Sequence, residues 1–308
     1  MNKRYGLPYM GSKNSIATWV LSHLPKAENF YDLFCGGCSI THCAIENRMY
    51  RNYFINDIEG YLPNGFIDCL NGKYAEDYRW ISHDQFDAQK GCGDLLVDIC
   101  FSFGNNWRKG YAYSRDVEPL KQAIHYAVCF GDTSLLQDRF DVKLPELKNF
   151  QDKVKRMNVV KKELKGLFAL YPQHLSSLDR LQNLERLIGI GELQKLSRHT
   201  TVGNITTSAL SYDLVPINGN SVIYCDIPYR STAQYNDGDF DYERFYEWCS
   251  KQDQPLYISE YEMPEDRFVC IAAKKKQVLL CAQDNAKSRI EKIFIPIHQI
   301  KNKPLTLF

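Results

Sequence analysis

The stretch Asp32-Leu33-Phe34-Cys35-Gly36-Gly37-Cys38-Ser39 constrains the fold of this chain more than any other. Phe30-Tyr31-Asp32-Leu33-Phe34 reads as a short strand running into Gly36-Gly37, and residues 39–47 carry apolar side chains at helical spacing. A second strand, Tyr53-Phe54-Ile55, ends at Asn56-Asp57. Upstream, Ser12 is placed to cap a helix over residues 15–24 that stops before Pro25. Helix, strand, helix, strand in this order predicts an α/β fold built on a doubly wound, mostly parallel sheet. Glycines between the first strand and its helix let a ligand approach the backbone beside the positive end of that helix. A bare tight turn would use them equally well.

The α/β pattern then breaks off and returns. Val222-Ile223-Tyr224-Cys225 is a buried-type strand ending in Asp226, residues 240–250 read as a helix, and Leu256-Tyr257-Ile258-Ser259 as a further strand. Val278-Leu279-Leu280-Cys281 and Lys292-Ile293-Phe294-Ile295 are expected to form a terminal antiparallel pair. The reading is one α/β domain, residues 1–58 and 205–308, interrupted by a largely helical insertion over residues 59–204. Within it, leucines recur at 175, 178, 181, 184 and 187. A spacing of three drifts by roughly 60° per step around an α-helix, so the helix is expected to be buried on several sides.

The chain has 308 residues, with Lys+Arg 38 against Asp+Glu 37 and a formal charge of +1. That near-zero total hides a split. Residues 59–142 hold eight Lys and Arg against thirteen Asp and Glu, a balance of −5, and residues 143–204 hold twelve against six, a balance of +6. The basic block includes Lys153, Lys155, Arg156, Lys161, Lys162 and Lys165 in a helical pattern. It fits a solvated helix face or a face that contacts phosphates. Eleven cysteines without a framework read as reduced thiols in a cytosolic protein. No secretory signal is evident, and no apolar stretch approaches the ~20 residues of a membrane span.

Four constellations could carry chemistry. The first is the Gly-rich loop itself. Asp57, 25 residues after Asp32, is the second: it could accept hydrogen bonds from ribose hydroxyls or merely cap a helix. Cys35-Gly36-Gly37-Cys38 also spells C-x-x-C, but a zinc site lacks a second pair of ligands. The third is Asp226-Ile227-Pro228-Tyr229, directly after an apolar strand. A carboxylate, a backbone carbonyl and an aromatic ring there form a pocket for a planar ligand bearing an amine, although a strand-end turn with a packed Tyr would look the same. In the fourth, residues 101–115 interleave Phe101, Phe103, Trp107, Tyr111 and Tyr113 with Arg108, Lys109 and Arg115. Such planes and cations could stack on bases and hold phosphates, or pack on one another as a hairpin.

Taken in order, these pieces resemble the Dam-type DNA adenine methyltransferases. Tyr9-Met10-Gly11-Ser12-Lys13 resembles the family's N-terminal cofactor motif and DLFCGGCSI its Gly-rich motif; Asn56-Asp57 matches the acid after the second strand, and CDIPY resembles the D-P-P-Y motif. Residues 240–248, Ile258-Ser259-Glu260-Tyr261 and Glu291-Lys292-Ile293-Phe294 look like phage-type members. The resemblance implies a Rossmann-like methyltransferase sheet with a C-terminal antiparallel strand, and S-adenosylmethionine as methyl donor with no metal. It implies that Tyr9, Lys13, Asp32, Phe34, Cys35, Gly36, Gly37, Cys38, Asp57 and Tyr212 serve the donor. Asp226, Ile227, Pro228 and Tyr229 would receive a flipped-out adenine. The insertion would recognise double-stranded DNA, with Asn105, Asn106, Trp107, Arg108, Lys109, Tyr111, Arg115, Lys161, Lys162 and Lys165 as candidate contacts. A monomer without membrane partners is expected, in the cytoplasm of a bacterial or phage-infected host cell, with restriction-modification as the setting.

Three positions depart from the family's pattern. Ile227 stands where the family has Pro, Cys38 where it often has Gly, and Ser211-Tyr212 where it tends to carry an acid and an aromatic residue. These departures keep two alternatives open: a DNA-binding relic that has lost catalysis, and a methyltransferase acting on another amine, in RNA or protein.

Overall fold

A computed structural model describes residues 4–9, 11–168, 182–199, 204–229, 240–277 and 288–302. They fall into two compact units, one within Met1–Leu7, Ser12–Ile67 and Leu196–Phe308, the other within Pro8–Gly11 and Asp68–Lys195.

The first unit is built on a seven-stranded sheet. In chain order the strands are β1 (Asn29–Asp32), β2 (Asn52–Asn56), β3 (Asn204–Ser208), β4 (Ser221–Cys225), β5 (Leu256–Glu260), β6 (Phe268–Gln277) and β7 (Ser288–Pro296). Their spatial order is β3-β2-β1-β4-β5-β7-β6. The first five are mutually parallel, and β7 runs antiparallel to both β5 and β6. Every residue of β1, β4 and β5 is buried, as expected of central parallel strands covered on both faces. The chain leaves β1 on one side for β2, while β4 flanks it on the other. The strand order therefore reverses at β1 and β4, and the carboxyl ends of strands at such a point are where open α/β sheets bind ligands.

Helix α1 (Ala17–Ser22) is shorter than the sequence predicts, because a 3-10 turn over Asn14–Ile16 occupies its expected start. Helix α2 (Ser39–Glu46) follows the Gly-rich loop. Two strands escape sequence reading. β3 is a polar edge strand with no buried residue. β6 carries Lys274, Lys275 and Lys276 in its outer half and is the antiparallel partner of β7. The expected strand at 278–281 lies outside the described residues.

The second unit is helical: α4 (His83–Gln89), a π-helical turn at Leu96–Cys100, α5 (Glu118–Phe130), α6 (Ser134–Phe140), α7 (Lys153–Phe168) and α8 (Gln182–Glu192), with α3 (Tyr61–Leu70) leading into it and α9 (Gln194–His199) leading out of it. Leu184 and Leu187 are buried on α8, while Leu175, Leu178 and Leu181 lie outside the described residues. No described helix is long and apolar enough to cross a membrane.

Candidate active site

The loop after β1 is stitched between two strand ends. Leu33 N–H donates to the Tyr224 carbonyl at the end of β4 (3.1 Å), and Cys35 N–H to the Asn56 carbonyl at the end of β2 (3.0 Å). The Asn56 side chain completes the seam. Its Nδ2 donates to the carbonyls of Leu33 and Leu210, and its Oδ1 accepts from the Ser208 hydroxyl and Leu210 N–H. All four hydrogen-bonding positions of the amide are used, which fixes the ends of three strands at once.

Two carboxylates sit on this seam. Asp57 Oδ2 accepts from Gly36 N–H at 2.8 Å and Oδ1 from Glu59 N–H at 2.9 Å. Asp32 Oδ2 accepts from the Thr41 hydroxyl at 2.7 Å, whereas Oδ1 is buried with no partner among the described residues. Burial pushes the Asp32 carboxyl up to about 7, with Asp226 and Asp57 adding like charge, and Asp57 up to about 6, with Glu59 and Asp226 adding like charge. Burial also raises the Cys35 and Cys38 thiols. Raising the thiols disfavours the thiolate form. Cys38 adopts φ 58° at the turn into α2, in the left-handed region that Gly occupies at no cost.

A residue the sequence did not single out supports this loop from below. Gly6 N–H donates to His42 Nδ1 at 2.8 Å, and Leu7 N–H donates to the Gly37 carbonyl at 2.6 Å. Gly6 has φ +70°, and a Cβ there would lie 2.2 Å from the Gly37 oxygen. Only glycine fits.

Asp226 follows β4. Ile227 is 2% exposed and packs in the core cluster with Leu33, Ile223, Cys225 and Phe245. The Tyr242 hydroxyl donates to the Pro228 carbonyl at 2.8 Å. The turn that a second proline would stiffen is held here by burial and by that hydrogen bond. Lys13 is brought to the same corner: its Nζ lies 2.7 Å from Asp226 Oδ1, 3.6 Å from Glu291 Oε1 and 4.4 Å from the Tyr229 ring centroid. Burial opposes the charge on Lys13, but Asp226 and Glu291 outweigh it and raise the ammonium above its usual value. The Tyr229 hydroxyl donates to Glu291, and its ring meets Tyr261 edge-on at 4.5 Å. Burial, Asp226 and Glu291 push that phenol well up.

Glu291 is fully buried and was not expected in the site. A signal was present. Strand alternation puts Glu291 on one face with Ile293 and Ile295, both buried, while Ile290 is exposed. An acid on the apolar face of a strand is expensive unless it has a partner.

Beside the loop, Tyr212 packs against Phe34 (5.4 Å), Phe245 (5.3 Å) and Trp248 (5.3 Å), forming an aromatic wall. Its hydroxyl is buried without a partner among the described residues. Asp213, which could have replaced the family's acid, is engaged instead by the Ser211 hydroxyl and by Arg244, which hold its carboxyl below the usual range.

The candidate recognition residues, all in the second unit, part company. Tyr111 is buried, its hydroxyl donates to the Ile81 carbonyl at 2.6 Å, and its ring packs with Phe86 and Tyr113. Between Phe101 and Tyr111 the chain forms a loop closed by an antiparallel bridge, Ser102 to Tyr111. Asn105, Asn106 and Trp107 are half-buried there and Arg108 and Lys109 exposed, with the Arg108 guanidinium 4.6 Å over the Trp107 ring. Arg115 pairs with Asp84 at 3.0 Å. On α7, Lys161 pairs with Glu185 of α8 at 3.3 Å, and Lys162 and Lys165 are exposed. Arg156 donates to the carbonyls of Val128, Cys129 and Phe150, tying down the end of α5. Tyr9 also falls in this second unit.

Residues 9–127 match the model of the D12 class N6 adenine-specific DNA methyltransferase family. The matched span holds Tyr9, Lys13, the Gly-rich loop, Asp57 and residues 101–115, whereas Asp226 and Tyr229 lie beyond it. The match covers less than half of the chain. No curated protein matches the chain.

Proposed function

We propose, with the match over residues 9–127 as premise, that this protein transfers a methyl group from S-adenosylmethionine to the N6 amine of a flipped-out adenine in double-stranded DNA. One observation carries the reading: Asp226 and Tyr229 stand at the carboxyl end of the same parallel sheet as Asp32 and Asp57, at the point where its strand order reverses.

The residues present fit the donor. S-adenosylmethionine, when bound, supplies an electrophilic methyl on a sulfonium centre and carries an ammonium group besides. Asp226 adds like charge to both Asp32 and Asp57, the buried Lys13 pairs with Asp226, and Asp32 Oδ1 is buried without a partner among the described residues. A cation is what such a pocket needs. Asp57 would accept from the ribose, the 35–38 loop and Asp32 would hold the methionine end, with Lys13 serving the same ligand. Phe34 and Tyr212 would pack on the adenine ring. On the target side, Asp226 and the Ile227 carbonyl accept the two amine hydrogens, Pro228 shapes the turn, and Tyr229 stacks on the base. Orienting the amine lone pair at the methyl group is the main catalytic contribution.

The base must leave the duplex to reach Asp226, at a cost of a few kcal/mol that stacking offsets. Asn105, Asn106, Trp107, Arg108 and Lys109 are the recognition contacts the exposed loop favours, and Lys162 and Lys165 the phosphate contacts. The reading is tested by incubating the protein with methyl-labelled S-adenosylmethionine and unmethylated double-stranded DNA, then identifying the labelled nucleoside. N6-methyladenosine in its deoxy form is expected. Label in cytosine, in protein or nowhere contradicts the proposal.

A further inference from the structure

We infer that Lys13 is a movable stand-in for the target amine, and that Glu291 is the positioning residue that receives its charge when the adenine arrives; this rests on the functional reading above. The two groups assigned to the adenine are the Asp226 carboxylate and the Tyr229 ring. Lys13 holds both, its Nζ 2.7 Å from Asp226 Oδ1 and 4.4 Å from the ring centroid. An ammonium therefore makes the contacts that an exocyclic amine stacked in the site would make. Both cannot use the same Asp226 oxygen in the same way.

Lys13 is 4% exposed, so little water reaches its charge. A buried ammonium that gives up one carboxylate needs another. Glu291 is that second acid. Its Oε1 is already 3.6 Å from Nζ, too long for a hydrogen bond but one small side-chain movement away. Its Oε2 is buried with no partner among the described residues. An unsatisfied acid oxygen next to an ammonium committed elsewhere is a costly arrangement at rest. It becomes a satisfied one when Lys13 shifts. The Tyr229 hydroxyl donates to the same carboxylate, so Glu291 also keeps the stacking ring in place during the exchange. No bond is made or broken by the shift: one ion pair is traded for another, and the target amine takes the vacated oxygen.

The test compares full-length wild type, Glu291→Gln, Lys13→Met and the double variant. Each is bound, with S-adenosylhomocysteine present, to unmethylated DNA and to the same DNA exhaustively methylated by the wild type. The ratio of the two affinities reads target-base entry, and inactive variants can be measured too. Glu291→Gln is expected to lower that ratio about tenfold with S-adenosylhomocysteine affinity within twofold of wild type. In the Lys13→Met background, where no charge has to be re-housed, the same change is expected to cost less than twofold. An equal penalty in both backgrounds, or none in either, overturns the exchange. If Glu291→Gln does not fold, Glu291→Asp gives the same cycle, since the shorter acid stands farther from Lys13. A wild type that methylates no DNA overturns the functional reading, and the exchange with it. A wild type that methylates DNA while the cycle shows no coupling overturns the exchange alone.

Discussion

The carboxyl end of the first unit's sheet and the basic face of the second unit hold their charges in opposite ways. At the sheet's carboxyl end, Asp32, Asp57, Asp226, Glu291 and Lys13 are buried or partly buried, and every one is tied to a neighbour by backbone or side-chain geometry. On α7, Lys162 and Lys165 stand in solvent, while Lys161 is spent on Glu185 and Arg156 on carbonyl groups. Burial makes the first set dependent on each member. Exposure makes the second nearly additive and sensitive to salt. Mutations should therefore fall into two size classes.

The largest effect on donor binding belongs to Asp57. Asp57→Ala removes the acceptor that holds Gly36 N–H and the proposed ribose ligand together, and donor affinity measured calorimetrically should fall by about 100-fold. Gly6→Ala comes next. Its Cβ would strike the Gly37 carbonyl at a positive φ, so the loop must move, with a stability loss of about 1–3 kcal/mol seen in thermal melting. Donor affinity should fall with it.

Asp32 sharpens the contrast through pH. Its carboxyl is raised to about 7 in the fold against 3.8 in the unfolded chain, so the native state binds the extra proton between those values. Stability from this group is fully present below pH 4 and is lost as pH rises through 7. Without donor, Asp32→Asn should therefore melt several degrees higher than wild type at pH 8 and gain nothing at pH 4. The same variant should bind the donor less tightly. An Asp32→Asn protein that melts lower at pH 8 would show that the acid is paired in a way this geometry does not contain.

The smallest effects lie on the second unit. Lys162→Glu and Lys165→Glu should each weaken DNA binding modestly and lower the salt slope by about one or two, whereas Tyr111→Phe should cost about 1 kcal/mol of stability and leave DNA affinity unchanged. If Tyr111→Phe weakens DNA binding more than the lysine reversals do, the division between core and recognition surface is drawn in the wrong place.

The same difference explains what could be read from the sequence. The loop at residues 32–39, Asp57 and Asp226 were legible because each sits at the end of an apolar strand, and a parallel sheet gathers such ends by topology. Ile227 was legible as a departure, but its burial among Leu33, Ile223 and Phe245 was not, because that comes from packing. Gly6 was out of reach as a site residue because its partner Gly37 is 31 positions away, and Glu291 was legible only as an acid on an apolar strand face, since its partners Tyr229 and Lys13 are 62 or more positions away. In residues 101–115, composition alone could not separate Tyr111, turned into the core, from Arg108, turned out of it. Alternation of aromatic and basic residues is common to both outcomes.

The central claim is that the carboxyl end of one sheet holds the donor on Asp57 and the target amine on Asp226. Parallel measurement of donor affinity and single-turnover methyl transfer to unmethylated DNA tests it most directly. Asp226→Ala is predicted to slow transfer by about 1,000-fold while donor affinity stays within a few-fold of wild type. Transfer at the wild-type rate by Asp226→Ala would contradict the account.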